Sequence, residues 1–411
     1  MRIIIVRRAP ETSFSMDVYA NGLIGGLRAV RPDWEIVEQQ PRVGRHSNNK
    51  LVQKLGKYAE QYWHYPQRLK HEDADIFHII DHSDGHLAYG LKSHPAAVVT
   101  TCHDLINLLQ PDNANHQAAM PMVSSALWNY SVKGLRAADH VVTVSAHTAK
   151  DVKNLLHIST QNLTVVHNAV ESVFHRLPVG AAAPVLQQYD IPPGQFYLLN
   201  VGSSQPRKNI ATLLKALAKL VSGSDGSSHR PVHLIKAGAD FTADQLAIIK
   251  TYGLQTHVTH IKNPDKATLV QLYNAADVLV APSLYEGFGI TILEAMACGI
   301  PAIASNVSSL PEISGDAAIL VDPTDVGAIA NAITSLQTDP VLYKALIQKG
   351  LRHVPDFTWE KSAEQVARVY EQLKGLPECD RTKQPCPDAQ LSVRRSNQPE
   401  LKLNARQLGN P

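Results

Sequence analysis

The chain has 411 residues, long enough for two to four domains, with two the simplest division. Hydrophobic residues make up 44% and charged residues 18%, which excludes a collagen-like or mostly disordered chain. The 39 basic residues against 37 acidic give a formal charge of +2, too balanced for a whole-chain nucleic-acid binder, and no run of about 18 apolar residues predicts a membrane-spanning helix.

In chain order, Ile3, Ile4, Ile5 and Val6 open a strand of a folded domain, not a secretory leader, and a cytoplasmic location is the expectation. Further strands of the first half are expected at 34–37, 76–80, 97–102, 141–144 and 163–166. Several are continuous runs rich in valine and isoleucine, as in parallel strands covered on both faces. Helical periods fill the gaps, as at 122–137 and 146–156. The stretch 177–194 (LPVGAAAPVLQQYDIPPG) carries four prolines and two glycines and reads as a linker. The second half repeats the style, with strands at 196–201, 233–236, 258–261, 278–281, 302–304 and 318–321. Alternating β and α elements predict an α/β protein with two Rossmann-like, doubly wound domains, at 1–178 and 179–355. Val366, Val369, Tyr370 and Leu373 mark a last helix within 356–376, and the polar segment 377–411 is expected to be disordered.

Two features carry no predicted function. Cys102, Cys298, Cys379 and Cys386 match no metal-ligand spacing and are expected to be reduced thiols. Asp73-Ala74-Asp75 stands before a strand, at its amino end, whereas ligands bind at the opposite edge of such sheets. It reads as a solvated loop, and no metal is expected.

The stretch with the most chemistry is 285–294 (YEGFGITILE). Glu286 falls on a strand-to-helix loop at the carboxyl edge of the sheet, and Glu294 lies one and a half turns into the helix. Gly287 and Gly289 permit close backbone approach, and the free N–H groups of a helix start can hold a phosphate. The glutamates make sense as acceptors for sugar hydroxyls. Positive charge comes from 202–210 (GSSQPRKNI), where Gly202 turns off a strand and Arg207 and Lys208 fall at the next helix start. Arginine offers a planar fork and lysine a point charge, both suited to phosphate oxygens.

These residues resemble the retaining glycosyltransferases of family 4, which have GT-B architecture: two Rossmann-like domains facing a cleft. The matching elements are the E-x7-E pair Glu286/Glu294, Arg207-Lys208-Asn209, YNAADVLV at 273–280, EAMACGIP at 294–301, SLPE at 309–312 and GDA at 315–317. Looser matches are TCHD at 101–104, Val144-Ser145 and HNAV at 167–170, so the likeness covers roughly 75–375. The resemblance implies that Glu294 binds the ribose and Glu286 the donor sugar. Arg207 and Lys208 would hold the diphosphate, with Gly202 at the turn and backbone N–H groups around Phe288, Gly289 and Ile290. His103 would face the sugar from the other domain; on its own it reads as an ordinary loop histidine. Asp104 reads as a helix cap or a positioning residue rather than a base. The implied reaction moves a hexosyl group, mannose or glucose, from a GDP-, UDP- or ADP-sugar to an acceptor hydroxyl with retention, without metal or other cofactor. The acceptor would be a glycan, a lipid-linked sugar or a small molecule.

One element departs from the family. Many members carry a Gly-Gly loop after the first strand, whereas this chain has Arg7-Arg8-Ala9-Pro10-Glu11-Thr12-Ser13-Phe14-Ser15-Met16-Asp17, and Gly25-Gly26 only later. The loop is either a different acceptor surface or ordinary loop residues. From Arg42 to Lys70 there are seven basic residues against one acidic, with Lys50, Lys54 and Lys57 on one helical face and Leu51, Leu55, Tyr58 and Tyr62 on the next. This segment is either a surface helix with its apolar stripe in the core or a peripheral contact to an anionic membrane at the inner face. Alternatives to a glycan-building enzyme are a sugar-phosphate synthase with a soluble acceptor and a non-catalytic sugar-binding module. A dehydrogenase is disfavoured because no G-x-G-x-x-G follows residues 3–6.

Overall fold

The computed structural model describes residues 1–9, 14–42, 50–109, 122–223 and 230–375. The tail 377–411 and parts of the 7–17 and 42–70 segments lie outside the described residues.

The first sheet holds β1 (Arg2–Val6), β2 (Glu35–Gln39), β3 (Ile76–Ile79), β4 (Ala97–Cys102), β5 (His140–Thr143) and β6 (Leu163–Val165). All pairings are parallel, in the order β2-β1-β3-β4-β5-β6. Ile3, Ile4 and Ile5 are all fully buried, because successive side chains enter cores on opposite faces. Ile3 and Ile5 pack with the helix Phe14–Val30; Ile4 packs with Tyr65, Leu69 and Leu87.

The second sheet holds β7 (Phe196–Gly202), β8 (Val232–Gly238), β9 (Val258–Lys262), β10 (Val278–Ala281), β11 (Ala302–Ser305) and β12 (Ala318–Val321). It is also parallel, in the order β12-β11-β10-β7-β8-β9. In each sheet the winding direction reverses once, between β1 and β3 and between β7 and β10. Such reversals open a crevice at the carboxyl edge, where ligands bind.

Two elements differ from the expectations, and a third gains a packing role. The 177–194 stretch is not a plain linker: it contains the helix Ala183–Gln188, whose Val185 is fully buried in the second core beside Ile191. The basic segment forms the helix Lys50–Ala59, a π-helical turn Glu60–His64 and the helix Tyr65–Leu69. Pro66 accounts for the wide turn, since it has no N–H for the preceding carbonyl and would clash in a regular helix. Gly25-Gly26 lies inside the helix Phe14–Val30, as expected, and Gly26 serves packing. A Cβ at Gly22 would lie 2.0 Å from Trp359 Cε2, and one at Gly26 would lie 2.4 Å from the Trp359 carbonyl oxygen. The two glycines, one helical turn apart, seat the C-terminal helix Trp359–Gly375.

That helix returns from the second half to the first. Its Val366, Val369 and Tyr370 are buried with Ile3 and Leu23, and its Glu364 and Glu371 each pair with Arg31 at 2.8 Å. A buried polar chain reinforces the seat: Tyr370 Oη meets His78 Nδ1 at 2.5 Å, His78 Nε2 meets Thr101 Oγ1 at 2.7 Å, and Tyr19 Oη meets the same Thr101 oxygen at 3.0 Å. Burial lowers the His78 pKa to about 3, so the imidazole stays neutral. At the amino edge, Asp75 accepts from the Arg2 amide at 2.8 Å and pairs with Lys374. Cys102 and Cys298 are buried free thiols.

Candidate active site

The β7/β10 reversal assembles the charged residues. Gly202 leaves β7 at φ +131°, a conformation suited to glycine. Pro206–Lys208 forms a 3-10 turn instead of the expected helix start, and Asn209, at φ +56°, separates it from the helix Ile210–Ser222. The Asn209 amide donates to the carbonyls of Pro282 (3.0 Å) and Pro323 (2.7 Å), tying this turn to the loops after β10 and β12. Beyond β10 the chain passes Glu286 and reaches the helix Ile290–Ala297, capped by Gly289 at φ +102°.

Glu286 accepts from Arg207 Nη1 at 2.7 Å, Lys208 Nζ at 2.5 Å and Ser283 Oγ at 2.8 Å. Burial pushes its pKa upward, but the charges of Lys208 and Arg207 outweigh this and hold it near about 2. The residues expected to divide sugar and diphosphate binding therefore form one ionised cluster. Glu294 lies apart from it and accepts from Tyr273 Oη at 2.6 Å. Burial drives its carboxyl up to about 7, against the opposing hydrogen bond from Tyr273. Phe288 turns its side chain into the core, with ring centroids 6.1 Å from His167 and 6.2 Å from Phe357, and its carbonyl accepts from Ser309 Oγ at 2.8 Å. Ile290 is half-buried at the helix start.

His103 follows β4. Its Nε2 donates to the Ile80 carbonyl at 2.8 Å. A carbonyl only accepts, so the proton sits on Nε2 and Nδ1 keeps its lone pair. Burial lowers the His103 pKa, which favours the neutral ring. The Tyr19 ring packs edge-on against it, 4.7 Å between centroids. Asp104 Oδ1 accepts from the Ile106 amide at 3.2 Å, the expected capping role.

The two halves meet at Gly287. Its carbonyl accepts from Ser145 Oγ at 2.7 Å and Thr148 Oγ1 at 3.2 Å, both at the start of the helix Ala146–Leu156. Tyr285 Oη donates to Asp151 at 2.6 Å. Glu312 accepts from the Ala146 amide at 2.9 Å and pairs with His167 at 2.7 Å. Sequence reading quoted Ser145, Glu312 and His167 as motif members but missed their mutual contacts, and it missed Thr148 and Asp151. A motif gives residue types without partners.

The described ends of the segment in place of Gly-Gly carry ion pairs. Arg7 pairs with Asp17 at 3.0 Å and Glu38 at 2.6 Å, and Arg8 with Asp81 at 3.1 Å. Arg8 thus bridges the loops after β1 and β3, across the first sheet's own reversal point. Among the described residues no group of three or more His, Cys, Asp or Glu side chains is placed to hold a metal ion.

Two family descriptions match the chain: Glycosyltransferase Family 4 over residues 7–173 and Glycosyl transferases group 1 over residues 185–353. The O-antigen chain mannosyltransferase B of Escherichia coli is 30% identical over 313 residues, 74% of this chain and 79% of that protein. The serotype-specific mannosyltransferase WbdA of Escherichia coli is 29% identical over 299 residues, 70% of this chain but 36% of that longer protein. Among solved structures, the sucrose-phosphate synthase of Thermosynechococcus elongatus superposes with a TM-score of 0.70 at 23% identity, over 91% of this chain and 99% of the other. The Anabaena HepE protein, solved with UDP-glucose, gives 0.69 at 17% identity, over 90% of this chain and all of the other.

Proposed function

The chain belongs to the family 4 glycosyltransferases of GT-B fold, and from that premise we propose that it transfers a mannosyl or glucosyl group from a nucleotide sugar to an acceptor hydroxyl, with retention, in glycan assembly. One observation carries the reading: Glu286 is locked between Arg207 and Lys208 one residue from Gly287, which lies against His103 of the other half. Fixed cations stabilise a departing diphosphate without reorganising as its charge develops. Glu286 stays ionised and aims those cations. His103 offers Nδ1 as an acceptor for a sugar hydroxyl, and Glu294, once ionised, accepts from the ribose. No second carboxylate serves as a covalent nucleophile, so the leaving phosphate takes the acceptor proton on the face it departs from. Arg207 and Lys208 meet the diphosphate charge, and no metal is required.

The mannosyltransferase relatives favour mannose as the donor sugar and a glycan end as the acceptor. Thermal shift with GDP-, UDP- and ADP-sugars, followed by turnover and NMR of the product anomer, tests the reading. Retained configuration and activity in EDTA are expected. An inverted product, or a glycosyl adduct trapped on a carboxylate, overturns the mechanism. A soluble sugar phosphate as the better acceptor would favour the synthase alternative, and absent turnover with every nucleotide sugar would favour a binding module.

A specific observation supports a membrane contact. Val52, Leu55 and Trp63 are 53%, 61% and 66% exposed, so these apolar residues of the basic segment are not in the core. No helix among the described residues is long and apolar enough to cross a membrane. Exposed apolar side chains in a basic segment suit an anionic lipid surface. Co-sedimentation with phosphatidylglycerol vesicles should be salt-sensitive and should be lost in both the Lys50/Lys54/Lys57→Glu and the Trp63→Ala variants. Binding that survives both rejects the contact.

A further inference from the structure

Lys236 lies within β8, between apolar neighbours, and is fully buried. A buried ammonium ordinarily pairs with a carboxylate or loses its proton. Lys236 has no carboxylate within ion-pair distance among the described residues. Its Nζ donates instead to two carbonyls, of Gly202 at 2.9 Å and Ala239 at 2.8 Å, and lies 5.9 Å from the Phe241 ring centre. Carbonyl dipoles solvate a charge but do not neutralise it.

The location gives that charge a use. Gly202 is the turn from which Arg207 and Lys208 depart. The Lys208 ammonium lies 3.5 Å from where a Cβ on Gly202 would stand, and the Gly202 carbonyl takes Lys236. Two ammonium groups therefore converge on one residue. Lys208 has Glu286 as counterion, and Lys236 has none at ion-pair distance among the described residues. The loops are packed so tightly that a Cβ on Gly238 would lie 2.3 Å from the Gly202 oxygen. Burial and the Lys208 charge both disfavour a proton on Lys236, and an anion bound at the turn offsets them.

We propose that Lys236 is a cation of the donor pocket, placed behind the Gly202 turn, whose charge is neutralised only when a nucleoside diphosphate binds. The inference rests on the diphosphate site proposed above. Lys236 touches no ligand; it is a positioning residue acting through the turn and through its field. The charged and titratable groups around it are Lys208, Asp240 and His260. Asp240 is exposed and already pairs with Lys262, and His260 donates to the carbonyls of Gly238 and Ala239. Burial and then the Lys208 charge lower the Lys236 pKa to about 8, so part of the free protein carries a neutral amine at that pH. A bound diphosphate raises the pKa again, and binding takes up a proton.

The test is calorimetry of the full chain with UDP and GDP, at pH 7 and pH 8 in two buffers of different ionisation enthalpy, on wild type, Lys236→Gln and Lys236→Met. Glutamine keeps a donor for the two carbonyls and removes the charge. Expected are a loss of about tenfold or more in diphosphate affinity for Lys236→Gln at unchanged melting temperature. Wild type should take up about half a proton at pH 8, and both variants measurably less. Unchanged affinity in Lys236→Gln, or wild-type binding without proton uptake, overturns the proposal and leaves a mere brace. Should both variants misfold, wild-type proton uptake alone decides. A folded wild type that binds neither diphosphate overturns the underlying site as well, an outcome distinct from the others.

Discussion

Gly287 meets His103 so closely that a Cβ on the glycine would lie 2.0 Å from the histidine's carbonyl oxygen. Both sides of this contact are backbone, so no side-chain rotation relieves it. Gly287→Ala must hold the two halves apart at the point where Glu286 and His103 are proposed to act together. We expect kcat to fall about a hundredfold, since a shift of roughly 1 Å costs that much, with nucleoside diphosphate affinity changed less than about threefold. Steady-state kinetics beside calorimetry checks this; an unaltered kcat would sink the requirement for contact.

Glu286→Gln keeps the shape of the cluster and removes the counterion of Arg207 and Lys208. Diphosphate affinity should stay level or rise, because two cations are released from their carboxylate, while kcat falls by a factor of about 100 or more. Glu294→Ala should show the opposite split, raising donor KM with a smaller loss of kcat. Measuring kcat and KM for both variants would falsify the division of roles if the two patterns were exchanged.

The Glu294 carboxyl, raised by burial to about 7, gives two pH effects of defined sign. Its folded pKa exceeds its unfolded value, so the folded state binds more protons between pH 4.5 and about 7, and its contribution to stability falls as pH rises through that window. Ribose binding needs the acceptor-only carboxylate, so donor affinity should increase over the same range and level off above it. Glu294→Gln should flatten the affinity profile. A wild-type profile already flat from pH 5.5 to 8 contradicts the assignment.

Tyr370→Phe removes one hydroxyl and leaves the buried Nδ1 of His78 without its partner. Losing the mate of a buried polar group costs about 1–3 kcal/mol, a fall of about 1–4 °C in melting temperature for a chain this size. Diphosphate affinity should not change, because Tyr370 and His78 pack in the core of the first half. A melting temperature within one degree of wild type would show that the contact contributes nothing.

Much of the frame is legible in residue order. Val and Ile runs mark nearly every strand because a parallel strand covered on both faces has no polar side to show. The predicted helix 146–156 coincides with Ala146–Leu156, since Ser145 both caps it and ends the preceding run. Less regular elements are not legible. Val185 draws the proline-rich 177–194 stretch into the second core, and Trp359 fills the space left by Gly22 and Gly26. Each outcome depends on a partner more than a hundred residues away in the chain or on a cavity no local pattern displays.

The sequence by itself determined two parallel α/β sheets, the family, and the residue types at the carboxyl edges: Glu286, Glu294, Arg207, Lys208 and His103. Hydrophobic period and glycine placement are local properties, so they survive without coordinates. Only the tertiary structure decided which charges oppose one another. It put Glu286 on both cations, Arg8 on Asp81, and Lys236 on two carbonyls. Electrostatic energy depends on distance and burial, and chain order records neither.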